Sequence, residues 1–141
     1  LQHRRMVLLR AGSDGTLLIR HSLAGDMPVI HDPAGEARTL ATEVDRAETM
    51  VEQSRGLMFR RSIPDDYALV FPFDGVSRRF IHMLFVRVPI DVVWLAEGKV
   101  QRVDTMRPWR SVGYATADTV LELPAGGANG VREGDTVAVE A

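Results

Sequence analysis

Apolar residues in this chain come in short runs, each closed by residues that favour turns. Val29-Ile30-His31 leads into Asp32-Pro33-Ala34-Gly35, and Ala37 to Val44 follows with Leu40, Thr42 and Val44 on one face at a period of two, which predicts a β-hairpin. Tyr67 to Phe71 reads as a short strand stopped at Pro72, since proline cannot donate to a ladder. Arg79 to Val88 and Ile90 to Leu95 are nearly continuous apolar runs, the pattern of strands buried on both faces. Ala96-Glu97-Gly98-Lys99 makes a tight turn into Val100 to Met106. Thr119 to Leu123 runs into Pro124 to Asn129, where proline suits a first helical position and Gly130 an end, and Thr136 to Glu140 closes the chain as a strand.

One segment carries a convincing helical signature. Ala47, Met50, Val51 and Ser54 recur on one face between Arg46 and Arg55; Asp45 stands as a cap with Glu48 at the capping-box spacing, and Gly56 is placed to end the helix. A parallel βαβ sheet needs a helix between strands repeatedly, so it is excluded. The expected fold class is α+β and strand-dominated: a mostly antiparallel β-barrel or sandwich with one packed α-helix.

The chain changes character near Asp26-Met27-Pro28. Before it, Met6 to Leu9 and Leu17 to Ile19 flank a Gly-Ser-Asp-Gly stretch, and four arginines against two acids leave residues 1–26 at +2. Residues 27–141 stand at −4. The expected division is an N-terminal extension or hairpin over 1–26, with Met27 as a natural start, and a single β-rich domain over 27–141. With no targeting segment and no apolar run long enough to span a membrane, a cytoplasmic protein is expected.

Composition narrows the chemistry. A chain of 141 residues can bury a core without a staple, and the absence of cysteine removes disulfides, thiolate metal ligation and a cysteine nucleophile. A net charge of −2 argues against a nucleic-acid binder. The basic side chains are arginines apart from Lys99. His3, His21, His31 and His82 show no helical pairing for a metal, so no metal or other cofactor is expected. No serine elbow, phosphate-binding glycine loop or dinucleotide fingerprint is present.

Four residues remain as site candidates. His82 lies inside the run Phe80-Ile81-His82-Met83-Leu84-Phe85 and can project into a pocket as a proton carrier or donor, although an interior histidine with its bonds satisfied is the commoner case. Asp91 heads an apolar strand, where a carboxylate more often ties down a turn. Arg55 and Arg60 flank Gly56-Leu57-Met58-Phe59 and can grip an anion, or equally complement a helix end or pair with Asp65 and Asp66.

The ordered blocks Arg55-Gly56-Leu57-Met58-Phe59-Arg60, Ile63-Pro64-Asp65-Asp66, Leu69-Val70-Phe71-Pro72-Phe73, Val88-Pro89-Ile90-Asp91-Val92-Val93-Trp94-Leu95, Val120-Leu121-Glu122-Leu123-Pro124-Ala125-Gly126 and Gly134-Asp135-Thr136-Val137 resemble the domain of unknown function 192, also catalogued as an uncharacterised protein family. The resemblance covers about residues 37–141 and implies a compact β-rich fold with a helix before the Arg-Gly-Leu-Met block. It implies no activity. Many members resemble Phe-Trp-Met-Lys-Asn-Thr where this chain has Ile81-His82-Met83-Leu84-Phe85-Val86, so the lysine and asparagine are absent and His82 is the nearest polar replacement. This version is similar to a branch from salt-loving archaea.

These features lead to an expected non-catalytic binding or accessory module, in which Arg55, Arg60, His82 and Asp91 bound a cleft for a small polar or anionic ligand or a peptide. A small hydrolase or lyase with His82 as general base is the alternative. A domain that self-associates through a strand is the third reading.

Overall fold

The computed structural model describes residues 2–11, 18–20, 29–31 and 38–139. Its strands are β1 (Gln2–Ala11), β2 (Leu18–Arg20), β3 (Val29–His31), β4 (Arg38–Arg46), β5 (Tyr67–His82), β6 (Ile90–Ala96), β7 (Lys99–Met106), β8 (Val112–Pro124) and β9 (Thr136–Val139), with one short helix, α1 (Met50–Arg55). The curled main sheet has the order β1-β4-β5-β8-β6-β7-β9, and β9 pairs back onto β1 to close a barrel. Among the described residues every pairing is antiparallel except β4 with β5, where Glu43 to Arg46 run beside Tyr67 to Val70. A parallel pair requires a crossover, and residues 47–66 supply it.

Alternation along the central strands sends side chains to two cores. Ala68 and Val70 of β5, Val93 and Leu95 of β6, and Leu121 and Leu123 of β8 join Leu40, Val44, Val100 and Val137 in the barrel interior. Leu69 and Phe71, Val92 and Trp94, and Val120 point the other way, where Leu57, Met83 and Val86 from the connecting loops cover them. The central sheet is therefore buried on both faces, which is why β6 reads as a continuous apolar run.

Several expectations are corrected. The predicted packed helix over Arg46–Arg55 is not supported: only six residues, Met50–Arg55, are helical. Arg46 is held in β4 by the parallel ladder, and Asp45, instead of capping, accepts from the buried Tyr67 hydroxyl at 2.9 Å. The capping box lies four residues further on, at Thr49 and Glu52, while the end at Gly56 stands as expected. β5 does not stop at Pro72: the register breaks there, and the ladder with β8 resumes at Ser77. Residues 73–76 stand opposite Asp118 alone, so the ladder is interrupted just after the proline. The run expected as a strand to Val88 leaves the ladder at His82, because Val86 N–H turns back to donate to Met83 O. Among the short N-terminal strands, β3 pairs with β2 rather than β4, and β1 pairs with β4 and β9. Leu17 and the other residues of the connecting stretches at 12–17, 21–28 and 32–37 lie outside the described residues.

Candidate functional site

The outward face of β5 and β8 is roofed by the crossover. The Thr49 hydroxyl accepts from Glu52 N–H, and the Glu52 carboxylate accepts from Thr49 N–H, each at 3.1 Å, so α1 starts at a defined point. Gln53 Nε2 donates to Ala47 O and Pro72 O at 3.0 and 2.9 Å, pinning the helix to β5. Gly56 then turns the chain at φ 48°, in the region that favours glycine, and Leu57 drops into the second core.

Beneath this roof is a cavity of about 270 Å³. Leu57, Phe71, Phe73, Ile81 and Val86 provide apolar wall, and Gln53, Arg55 and His82 provide polar wall. Glu122 also lines it. Period two places Glu122 on the same face of β8 as Val120, between Leu69 of β5 and Val92 of β6 in the ladder. The residue is 5% exposed, and its Oε2 has no hydrogen-bond partner. Burial pushes the carboxyl pKa up to about 8, opposed by the positive charge of Arg60. Glu122 is therefore largely neutral at pH 7, an O–H donor in the wall of the cavity.

The four residues singled out in the sequence are distributed unevenly. Arg55 and His82 both line the cavity and are exposed. His82 Nδ1 accepts from Leu84 N–H at 3.2 Å, which leaves Nε2 to carry the proton of the neutral ring. Arg60 is outside the lining: its guanidinium lies 5.0 Å over the Tyr67 ring, with Nη2 3.9 Å from Asp45 Oδ2. Burial there holds the Tyr67 phenol above its ordinary range. Asp91 is buried elsewhere, accepting from Thr105 Oγ1 at 2.8 Å and from the N–H groups of Gly126 and Ala128 at 3.0 Å each. It fastens the turn after β8. His3, His21 and His31 have no described side chains, and among the described residues no cluster of three His, Asp or Glu could hold a metal.

Residues 30–139 match the family model DUF192, described as an uncharacterized ACR. The chain belongs to the DUF192 family. Curated relatives called UPF0127 proteins come from Thermococcus gammatolerans, 32% identical over 67% of this chain, and Thermococcus kodakarensis, 30% identical over 68%. The match spans just under two thirds of each of those relatives, 65% and 64% of their lengths. A Sinorhizobium meliloti crystal structure, whose name proposes a transcription regulator, superposes with a TM-score of 0.72 at 20% identity over 99% of this chain and 96% of its own. A Novosphingobium aromaticivorans protein of unknown function gives 0.67 at 20% identity, covering 89% and 95%. These structures share the fold.

Within this DUF192 fold, Glu122 is the site residue that sequence reasoning missed. The signal was present: Leu121-Glu122-Leu123 puts a carboxylate inside a strand whose neighbours are buried on both faces. Its weight emerges only when β5, β6 and the Gly56 turn close around it. No helix among the described residues is long and apolar enough to cross a membrane.

Proposed function

We propose that the chain is a non-catalytic binding module whose ligand enters the cavity between the crossover and β5–β8. The observation that carries this reading is the unpartnered Glu122 Oε2 in a cavity wall it shares with Leu57, Phe71 and Phe73. Native proteins pair nearly all buried polar atoms, so an orphan carboxyl facing a cavity marks a place for a ligand group. A neutral carboxyl donates one hydrogen bond, which suits a small polar ligand or peptide end presenting an acceptor, with its apolar part against Phe71 and Phe73. Arg55 at the opening favours a ligand that is also anionic. Arg60 tunes Glu122 through its charge, and Asp91 holds the scaffold.

The raised Glu122 pKa favours one second reading, a small acid–base enzyme, because a carboxyl titrating near neutrality suits proton transfer. In that reading Glu122 replaces His82 as the base, since His82 Nδ1 is already engaged. Two finer points belong to the same proposal: a cytoplasmic setting, and descent from a branch in salt-loving archaea, which rests on the Ile81-His82-Met83-Leu84-Phe85 version of the motif.

A thermal-shift screen with amides, carboxylic acids and short peptides tests the reading, because a ligand of the native state raises the transition. The expected result is a compound that stabilises the wild type and loses about tenfold or more in affinity with Glu122→Leu, which removes the donor that Glu122→Gln would keep, or with Gly56→Ala. A hit that binds Glu122→Leu and Gly56→Ala as tightly as the wild type would place the ligand elsewhere. Turnover of a hit, abolished by Glu122→Gln, would favour the enzyme.

A further inference from the structure

Three aromatic side chains stand at the tips of three turns, and each has a backbone conformation that aromatic residues seldom adopt: Phe59 (φ 67°), Phe85 (φ 63°) and Trp109 (φ 69°). Left-handed backbone at a non-glycine residue is strained, and such strain gathers at functional surfaces. The rings remain 59%, 46% and 49% exposed. They form one cluster, with Phe59 stacked on Phe85 at 5.4 Å and Phe85 edge-on to Trp109 at 5.5 Å.

The turns are fastened to one another. Phe59 N–H donates to Phe85 O, Trp109 N–H donates to Met83 O, and Met83 N–H donates to Ser111 O. Met83 itself is fully buried beneath them. The platform is thus preformed and loses little conformational entropy on docking.

Charge supplies the second, independent observation. In a chain of net charge −2, the residues within two positions of these aromatics include Arg60, Arg61, Arg87, Arg107 and Arg110 and no acid. Arg60 turns inward onto Tyr67, which leaves Arg61, Arg87, Arg107 and Arg110 exposed around the rings. Leu84, also exposed, adds apolar surface beside Phe85.

We infer that this aromatic cluster with its arginine collar docks the protein on an anionic lipid surface. Tryptophan and phenylalanine settle at the headgroup level of a bilayer, and arginines beside them gain from the negative surface potential. Nucleic acid fits less well, because Phe59 and Phe85 stack on each other and the rings form one cluster at turn tips, not a row along a groove on which successive bases could stack. An extended peptide fits less well too, since turns offer no free strand edge.

The test is partition of the whole chain onto vesicles of phosphatidylcholine alone and of phosphatidylcholine with phosphatidylglycerol, read by co-sedimentation and by Trp fluorescence. Trp109 reports contact, because Trp94, the other tryptophan, is buried. The expected result is binding to the anionic vesicles with a blue shift, weakened about tenfold or more by salt, by Trp109→Ser, and by Arg87→Glu with Arg110→Glu. Arg132→Glu, an exposed change on the turn before β9, should leave binding intact, and circular dichroism confirms that each variant is folded. Failure of the folded wild type to bind anionic vesicles at low salt overturns the inference. So does binding that these substitutions leave unchanged, equal binding to poly-glutamate or to single-stranded DNA, or a dimer that Trp109→Ser dissociates without any lipid binding.

Discussion

Gly56 presses against the carboxyl of Glu122: a β-carbon at position 56 would lie 3.6 Å from Glu122 Oε2 and 3.4 Å from Phe71 Cζ. The glycine that ends α1 is thus also part of the cavity wall, and Glu122 Oε2 beside it is buried without a hydrogen-bond partner.

The first consequence is a pH dependence of stability. The Glu122 pKa rises on folding from the ordinary 4.5 to about 8, so between those values the native state keeps a proton that the unfolded chain has released. Stability contributed by Glu122 is then full below pH 4.5, falls through the window, and levels off above pH 8, a total on the order of a few kcal/mol. Glu122→Gln should match the wild type near pH 5 and exceed it near pH 9 in urea melts. Parallel pH profiles for the two proteins would contradict this.

A second expectation concerns Gly56→Ala. At φ 48° the new side chain is strained and enters the space above Glu122, so a loss of about 1–2 kcal/mol is expected from denaturant unfolding. Ligands found in the cavity screen should weaken beyond what that loss explains.

Asp91→Ala separates scaffold from site. Removing the carboxylate strips the partner from Thr105 and from two backbone N–H groups, one of them buried at Ala128, and should cost about 3 kcal/mol or more. Cavity ligands measured on the folded fraction should keep their affinity. A folded, fully stable Asp91→Ala that has lost the ligand would instead return Asp91 to the site.

Thr49→Ala tests where the helix begins. It deletes the hydroxyl that accepts from Glu52 N–H, with an expected cost of about 1 kcal/mol. The same change at a solvent-facing strand threonine such as Thr116 should cost less.

Much of the strand content was legible because it obeys local rules. β6, the turn at Glu97-Gly98 and β7 emerge from apolar runs and turn residues alone. The helix start was misplaced because Asp45 and Glu48 satisfy the capping spacing as well as Thr49 and Glu52 do; only the parallel pairing of Asp45 with Leu69 decides between them. Arg55 and His82 were found as cavity residues because unusual polar positions stand out in sequence. Glu122 did not stand out, since its isolation comes from Leu69, Val92 and Gly56, which are distant in the chain. The aromatic cluster was invisible for the same reason: Phe59, Phe85 and Trp109 meet because the Phe59 bond to Phe85 O and the Met83 bonds to Trp109 and Ser111 tie their turns together.

The measurement that bears most directly on the site is an NMR titration of the Glu122 side-chain carboxyl carbon, assigned by its disappearance in Glu122→Gln. A midpoint near 8 is expected, reflecting a buried carboxyl without a partner. A midpoint at the ordinary 4.5 would mean that water reaches the carboxyl, and would contradict the reading of Glu122 as a buried neutral donor awaiting a hydrogen-bonding ligand.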